Sequence, residues 1–196
     1  MKSIMAGFMI TLAAAINLMV GGALGAFLFA IGLITILSFQ FDLFTGKAGL
    51  LAQKQIKTKS LIAIWFGNFV GCGACSFLFL ISPLGETLSE RAAAINQVRI
   101  SNLWFENIIL GILCGILMYV AVKQYFIVPV ITMVAVASFI LLGANHCVAD
   151  MAYLFLAADE TFVSAAVAIV FTTIGNIIGC NLIPFSCELI GHKTNN

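Results

Sequence analysis

The sequence predicts an all-α membrane protein with six transmembrane helices arranged as two inverted repeats of three. Three observations lead to this fold class. Hydrophobic residues occupy 62% of the 196 positions and charged residues only 9%, whereas a soluble domain carries about 25% charged residues. The apolar residues fall into segments long enough to cross a bilayer, which takes about 20 residues. One short motif also occurs once in each half of the chain.

Six apolar segments make up most of the chain. The first one follows Lys2 closely, a pattern that a cleaved signal peptide would also show. Hydrophobicity continues almost unbroken to Phe39, however, so we expect this segment to be retained as the first span. The six predicted spans are 4–20, 22–38, 61–82, 104–122, 126–156 and 161–190.

Basic residues predict the orientation of these spans. Four lysines, with no acidic residue among them, follow the second span, and single lysines follow the fourth and sixth spans. The longest of the other connections, 83–103, holds both glutamates and arginines. By the positive-inside rule the lysine-rich connections face the cytoplasm, so we expect an inner-membrane protein with cytoplasmic N- and C-termini. The lysines concerned are Lys47, Lys54, Lys57, Lys59, Lys123 and Lys193.

An internal repeat predicts how the spans are related. The sequences WFGNFVGC at 65–72 and TIGNIIGC at 173–180 share the pattern G-N-x-x-G-C. Each lies in the last span of its half, and the preceding span of each half contains a polar interruption. Because three is an odd number, a repeated three-span unit inserts in opposite senses, as in inverted-repeat transporters. We expect a single transmembrane domain over 1–196, with repeats at about 1–82 and 103–190.

Polar residues interrupt the second and fifth spans and mark the candidate site. FQFDLFTG covers 39–46, and LLGANHCVAD covers 141–150. Irregular backbone at membrane depth is tolerated only where protein buries it or where it lines a cavity, and an ionisable residue there indicates function. His146 is such a residue, and Asp150 lies one helical turn later on the same face. The alternative is a structural histidine that hydrogen-bonds between helices.

The remaining composition argues against several other classes of protein. A net charge of +1 provides no basic surface for nucleic acid. Cys72 and Cys75 form a C-x-x-C without a second pair at zinc-site spacing, so we expect them to pack as small apolar residues. A zinc site needs four ligands at recognisable spacing, which disfavours a membrane redox or metal enzyme built on the cysteines and His146. The sequence predicts no cofactor, no metal and no catalytic residue.

These segments resemble those of the formate/nitrite transporter family over nearly the whole chain. FDLFTG is similar to the family's loop in the second span, and GNFVG and GNIIG are similar to its paired Gly-Asn segments. LGILCG resembles its fourth-span signature, and ILLGANHCVADM resembles the stretch around its central histidine. The resemblance implies a homopentamer of aquaporin-like protomers in the lipid bilayer, each with its own pore. It also implies small monovalent anions or their weak acids, such as formate, nitrite and hydrosulfide, as substrates.

The resemblance further implies roles for individual residues. His146 would be the central pore histidine, Thr45 would hydrogen-bond near it, and Asn176 would line the same chamber. Gly143 would permit the break in the fifth span. The alternative for Phe29 and Phe139 is packing in the core or against lipid, and the alternative for Thr45 is to cap a helix. The other expected contributors are Phe29 and Leu33 in a periplasmic constriction, Leu43 and Phe139 in a cytoplasmic one, and Asn68, Asn145 and Asp150 as supports of the backbone.

Three departures from the family pattern affect the predicted site. Arg99 stands where the family usually has a lysine, so the positive charge is kept but a releasable proton is not. Gly115 replaces a common asparagine, and Asn145 replaces an acidic residue. We expect Arg99 to attract anions to the outer mouth of the pore. His146 could then donate a proton to the anion, or it could stay neutral and only hydrogen-bond to it, and the sequence leaves both open.

Two other functions are compatible with six apolar spans. A water or glycerol channel would carry paired Asn-Pro-Ala motifs, and the three prolines of the chain, Pro83, Pro129 and Pro184, fit none of them. A structural subunit of a membrane complex, without transport of its own, would have no motif that reveals it. We keep that subunit as the alternative to an anion channel or transporter.

Overall fold

A computed structural model of the protein describes residues 1–190, and all regular secondary structure in that range is α-helical. This confirms the all-α fold class. Lys193, which contributed to the predicted orientation of the last span, lies outside the described residues. The helices in chain order are α1 (Lys2–Val20), α2 (Gly22–Ser38), α3 (Phe44–Ala48), α4 (Thr58–Leu80), α5 (Gly85–Ser101), α6 (Trp104–Gln124), α7 (Pro129–Leu141), α8 (Cys147–Ala157) and α9 (Phe162–Leu189).

Within residues 1–190, four helices are long and apolar enough to cross a membrane, namely α1, α4, α6 and α9. The shorter apolar helices α2, α7 and α8 have 17, 13 and 11 residues. At a rise of about 1.5 Å per residue, neither α7 nor α8 alone reaches across the ~30 Å hydrocarbon core. The predicted fifth span, 126–156, is therefore occupied by two helices in succession.

The polar connection at 83–103 contains a helix that the sequence analysis did not predict. In α5 the buried residues Leu88, Ala92 and Asn96 recur every four positions, so they lie on one face of the helix. That face packs against α8: Ser89 Oγ donates a hydrogen bond to Ala157 O (2.7 Å), and Asn96 Nδ2 donates to Tyr153 O (3.3 Å). The exposed positions include charged residues such as Glu86, Glu90 and Arg91, which explains why hydropathy alone did not reveal the helix.

Glycine allows close packing of two helix pairs, α1 with α4 and α6 with α9. A Cβ atom added at Gly71 would lie 1.9 Å from Ile4 O, and one added at Gly179 would lie 2.1 Å from Ile112 O. No side chain fits at such distances, because they are far below van der Waals contact. Both glycines belong to the repeated G-N-x-x-G-C pattern, so the motif packs the first and last helices of each half in the same way.

Two non-helical segments, 39–43 and 142–146, separate α2 from α3 and α7 from α8. Gly143 has a φ of 67°, a left-handed conformation that glycine adopts without steric cost. Ala144 N then donates to Phe139 O (2.9 Å) and closes the turn at the end of α7. The first turns of α3 and α8 meet in the core of the protein, where Thr45 and His146 are in contact.

Candidate functional site

Two buried asparagines, one from each copy of the repeated motif, hold the starts of α3 and α8. Asn68 Oδ1 accepts a hydrogen bond from Phe44 N (2.8 Å). Its Nδ2 donates to Asp42 O, the carbonyl two residues before Phe44 (2.9 Å). Asn176 Oδ1 accepts a hydrogen bond from Cys147 N (2.9 Å). Its Nδ2 likewise donates to Asn145 O, the carbonyl two residues before Cys147 (2.8 Å). Each asparagine thus satisfies the first N–H of a helix, a group that would otherwise lack a partner.

His146 is the N-cap residue of α8 and uses both ring nitrogens. Its Nδ1 accepts a hydrogen bond from Ala149 N (3.1 Å), and its Nε2 lies 2.8 Å from Thr45 Oγ1. Because Nδ1 already accepts a backbone N–H, a neutral ring carries its proton on Nε2 and donates it to the Thr45 hydroxyl. The bond from Ala149 N therefore fixes the tautomer of the neutral ring, and Thr45 Oγ1 is positioned to accept its proton.

Two phenylalanine rings lie beside the imidazole. The rings of Phe139 and His146 are stacked, with centroids 5.6 Å apart. The rings of Phe29 and Phe139 meet edge to face, with centroids 6.1 Å apart. Both phenylalanines are buried. The sequence analysis assigned these two rings to opposite constrictions, and in the structure they contact each other.

A cavity of about 550 Å³, which we call the vestibule, opens above these rings between α1, α2, α5, α7 and α8. Phe29, Phe139 and His146 lie among its lining residues. The charged residues that line it, among those the structure describes, are Arg91, Arg99 and Asp150. Leu33, Leu43 and Thr45 are buried next to this region but do not line the vestibule.

Arg99 connects α5 to the segment that precedes His146. Its Nε lies 3.3 Å from Asp150 Oδ1, and its Nη1 donates to Gly143 O (3.2 Å). The side chains of Arg99 and Asp150 are 13% and 5% exposed, so the two charges compensate each other in a largely buried place. The second carboxylate oxygen, Asp150 Oδ2, has no hydrogen-bond partner among the described residues.

A second network of amides supports the same segment. Asn107 Oδ1 accepts from Asn145 Nδ2 (2.8 Å), and Asn107 Nδ2 donates to Arg99 O (2.9 Å). Asn145 N also donates to Leu110 O (3.3 Å). These bonds tie Asn145, in the interrupted segment, to α6.

Asn176 was expected to line the chamber around the histidine. In the structure its amide is committed to backbone groups of Gly111, Asn145 and Cys147, and it does not line the vestibule. Gly115 also differs from the expected picture: a Cβ atom there would lie 2.7 Å from Asn176 O. In this packing the asparagine common in the family could not replace Gly115 as a polar contact.

Sequence reasoning missed two residues of the site. Asn107 follows Glu106 and directly precedes the long apolar run of α6, a signal that could have been used. Arg91 lies eight residues before Arg99 on α5, which places both on one side of a helix once that helix is known. Without the helix, Arg91 reads as one charge in a mixed polar connection.

The structure gives no grouping of metal ligands in the part of the chain that it describes. Within residues 1–190, no three His, Cys, Asp or Glu side chains are close enough together to hold a metal ion. Cys72 and Cys75 are buried and free. Cys72 Sγ lies 3.4 Å from Gly7 O, within the packing of α1 against α4.

Comparison with known proteins places the chain in a family. The family model described as formate/nitrite transporter matches residues 1–187. The chain belongs to the formate/nitrite transporter family. A curated member, the formate channel FocA of Haemophilus influenzae, is 30% identical over 149 residues, which is 65% of this chain. The alignment covers 51% of that relative, so the chain spans about half the length of the curated relative it matches.

Solved structures of the family share the fold. A structure described as a pentameric formate channel with formate bound matches with a TM-score of 0.79 and 23% identity, over 96% of this chain and 94% of that one. A second, described as an FNT family ion channel, matches with a TM-score of 0.85 and 18% identity, over 98% and 89%. At these identities the likeness establishes the fold.

Proposed function

We propose that this protein is a membrane channel or transporter for small monovalent anions or their weak acids, and that formate is the first anion to test. One observation carries the proposal: a buried histidine, His146, lies at the floor of a cavity lined by two arginines. Membership of the formate/nitrite transporter family supports it. The names of the relatives support the choice of formate.

The proposed path starts in the vestibule, whose lining includes Phe29, Phe139 and His146, and continues past the histidine to Thr45. An anion loses hydration between apolar side chains, which is costly unless polar groups replace the water. The contact between Phe29 and Phe139 supports a single aromatic constriction beside the histidine, formed by both rings. Leu33 would belong with Phe29 to the periplasmic constriction, and Leu43 would line the path nearer the cytoplasm.

The hydrogen bonds of His146 support a neutral ring over a proton donor. A proton added at Nδ1 would displace the hydrogen bond from Ala149 N and bring two donors together. The Nε2–H can instead be offered to a passing anion in place of the Thr45 hydroxyl, which is free to rotate. The anion would then cross as a charged species, and net transport would carry current.

The proposed topology has six spans with both termini in the cytoplasm of the inner membrane. The equivalent bonds of Asn68 and Asn176, and the equivalent packing of α1 with α4 and of α6 with α9, support two inverted repeats in one transmembrane domain. In this orientation α5 and the vestibule are external. The pentameric assembly named for one structural relative supports a homopentamer here.

Uptake of labelled formate into proteoliposomes tests the proposal. We expect saturable uptake by the wild-type protein, competition by nitrite and hydrosulfide, and a current that scales with uptake. Two variants separate transport from folding. His146→Phe removes both hydrogen bonds of the ring, whereas His146→Asn keeps a side-chain oxygen that can cap α8 but is too short to reach Thr45.

The expected result is a folded His146→Asn variant with strongly reduced uptake. Uptake by folded wild-type protein that equals that of empty liposomes for every anion would refute the transport function. It would then favour the alternative, a structural subunit without transport of its own. Uptake that is unchanged in a folded His146→Asn protein would remove the histidine from the path.

A further inference from the structure

Two arginines line the vestibule, but only one of them is paired with a carboxylate. Arg99 is paired with Asp150 and also bonded to Gly143 O. Arg91 has no ion pair with any residue among 1–190, and its side chain is exposed. The pair of Arg99 and Asp150 contributes little net charge to the vestibule, so Arg91 supplies most of its positive field. The sequence-based expectation that Arg99 attracts the anion is therefore better transferred to Arg91.

The hydrogen bonds of Arg91 leave one edge of its guanidinium unused. Nη1 donates to Leu18 O and to Met19 O (3.0 Å), two carbonyls in the last turn of α1. Nε and Nη2 donate to no described residue. These two groups form the edge that binds a planar carboxylate through two parallel hydrogen bonds. The bonds of Nη1 to α1 hold the guanidinium in place, so that edge is oriented before an anion arrives.

We propose that Arg91 is the anion-docking residue of the vestibule and that it selects planar anions with two oxygen atoms through its Nε and Nη2 groups. Formate and nitrite have that shape, whereas hydrosulfide has a single charged atom and can accept from only one edge position at a time. This inference rests on the proposed anion transport. It assigns Arg99 to a different role, which is to position the segment before His146.

Two substitutions of Arg91 separate the effect of its positive charge from the effect of its planar guanidinium edge on anion binding. In Arg91→Gln we expect the KM for formate to rise on the order of three- to tenfold, because one unpaired charge no longer steers the anion. The maximal rate should stay close to that of the wild type. In Arg91→Lys, which keeps the charge and can still donate to Leu18 O, the KM for hydrosulfide should stay near the wild-type value while those for formate and nitrite rise. The matched charge control is Lys59→Gln, because Lys59 is an exposed residue of α4 that does not line the vestibule.

The outcomes of these assays are distinct. An unchanged formate KM in folded Arg91→Gln overturns the docking role. A formate KM in Arg91→Lys equal to that of the wild type overturns selection by shape. A wild-type protein that does not transport formate contradicts the proposed function instead, and the docking site is then tested by the chemical measurement below.

Chemical modification tests the site in the wild-type protein, without any substitution. The chain contains two arginines, Arg91 and Arg99, and phenylglyoxal modifies arginine side chains. We expect formate and nitrite to slow the modification of Arg91, read by mass spectrometry of the peptide, and chloride, a monatomic anion, at the same ionic strength to leave its rate unchanged. Equal rates with and without formate would overturn the proposal. Protection of Arg91 in a protein that does not transport would uphold the docking site and refute only the transport function.

Discussion

The imidazole of His146 has two partners, and only one of them is needed to build α8. The bond from Ala149 N caps the helix, as many N-cap side chains do. The contact with Thr45 Oγ1 joins the two interrupted segments across 101 positions of the chain. A structural histidine between helices would need nothing more, but this one also lines a cavity and stacks on Phe139. That combination favours the proposed place of His146 on the path over a purely structural role.

Thr45→Val tests the contact between the two segments. The substitution keeps the shape of the side chain and leaves the Nε2–H of His146 without an acceptor, so the free energy of unfolding should fall by about 1–3 kcal/mol. Formate uptake should fall as well, because the orientation of the ring is lost. Unfolding by denaturing detergent and uptake in proteoliposomes measure the two effects.

Thr132→Val is the matched control for that variant. Thr132 is also buried, and its Oγ1 donates to Ala121 O (2.8 Å) within the packing of α6 and α7. We expect a similar loss of stability and unchanged uptake per folded protein. If both variants lose uptake in proportion to their stability, Thr45 acts through the fold alone.

The ion pair of Arg99 and Asp150 makes a second prediction about single residues. Arg99→Gln leaves a buried carboxylate without its partner and should lower the free energy of unfolding by about 3 kcal/mol. The double variant Arg99→Gln/Asp150→Asn removes both charges, so it should be more stable than Arg99→Gln. Equilibrium unfolding of the two single variants and the double variant forms a mutant cycle that gives the coupling directly. A double variant that loses the sum of the two single effects would show that the charges are independent.

At the scale of the elements, the repeated motif explains more of the fold than hydropathy does. Hydropathy predicts where the apolar segments lie, since burial in lipid and burial in protein both favour the same residues. It does not predict which helices touch. The glycines of G-N-x-x-G-C define those contacts, because Gly71 and Gly179 admit no side chain between α1 and α4 or between α6 and α9.

Other elements could not be predicted from the sequence, for identifiable physical reasons. The helix α5 buries a face of mixed polarity, with Asn96 beside Leu88 and Ala92, so its amphipathic signal is weak. The pairing of Arg99 with Asp150 depends on how α5 docks on α8, which no local pattern encodes. The sequence analysis gave Asn68 and Asn176 different roles, because the repeat alone could not reveal that both amides bond the starts of α3 and α8.

Gly179→Ala tests the close approach of α6 and α9. Its Cβ atom would lie 2.1 Å from Ile112 O, a backbone atom that cannot move without the helix. We expect a loss of at least about 1–3 kcal/mol of stability, the usual cost of overpacking, and reduced yield of folded protein. Thermal unfolding in detergent measures the change.

Gly46→Ala provides the contrast within the same chain. Gly46 lies inside α3, and an added Cβ atom would meet Leu43 Cβ and Val122 Cγ2 at 3.7 Å, which is ordinary contact. Alanine is a better helix former than glycine by about 1 kcal/mol, so this variant should be as stable as the wild type or more so. Equal destabilisation of both variants would contradict the role given to the motif.

At the scale of the whole molecule, the outer surface is apolar along its long helices. Exposed large residues include Phe66, Val70 and Phe77 on α4, and Leu24 and Ile31 on α2. Such a surface needs lipid or neighbouring protomers to cover it. We predict a particle of five 20.9 kDa chains when the protein is extracted in mild detergent and weighed by native mass spectrometry. A monomer under conditions that preserve uptake would contradict the pentamer.

The orientation in the membrane gives the last prediction. If the vestibule is external, α5 and the lysine-rich connection lie on opposite sides of the bilayer. Ser101 at the end of α5 and Lys59 at the start of α4 are both exposed, so each can be replaced by a reporter cysteine. Cys187 is the only cysteine of residues 1–190 that is not buried, and Cys187→Ser removes its background.

In intact spheroplasts an impermeant maleimide should label Ser101→Cys, whereas Lys59→Cys should react only after the membrane is opened. If only Lys59→Cys is labelled in intact spheroplasts, the orientation of the protein in the membrane is the opposite of the one proposed. The vestibule with Arg91 would then open to the cytoplasm, and anions would dock there from inside the cell. The hydrogen bonds of His146 and Thr45 would be unaffected, because they lie within the protein and do not depend on which side the vestibule faces.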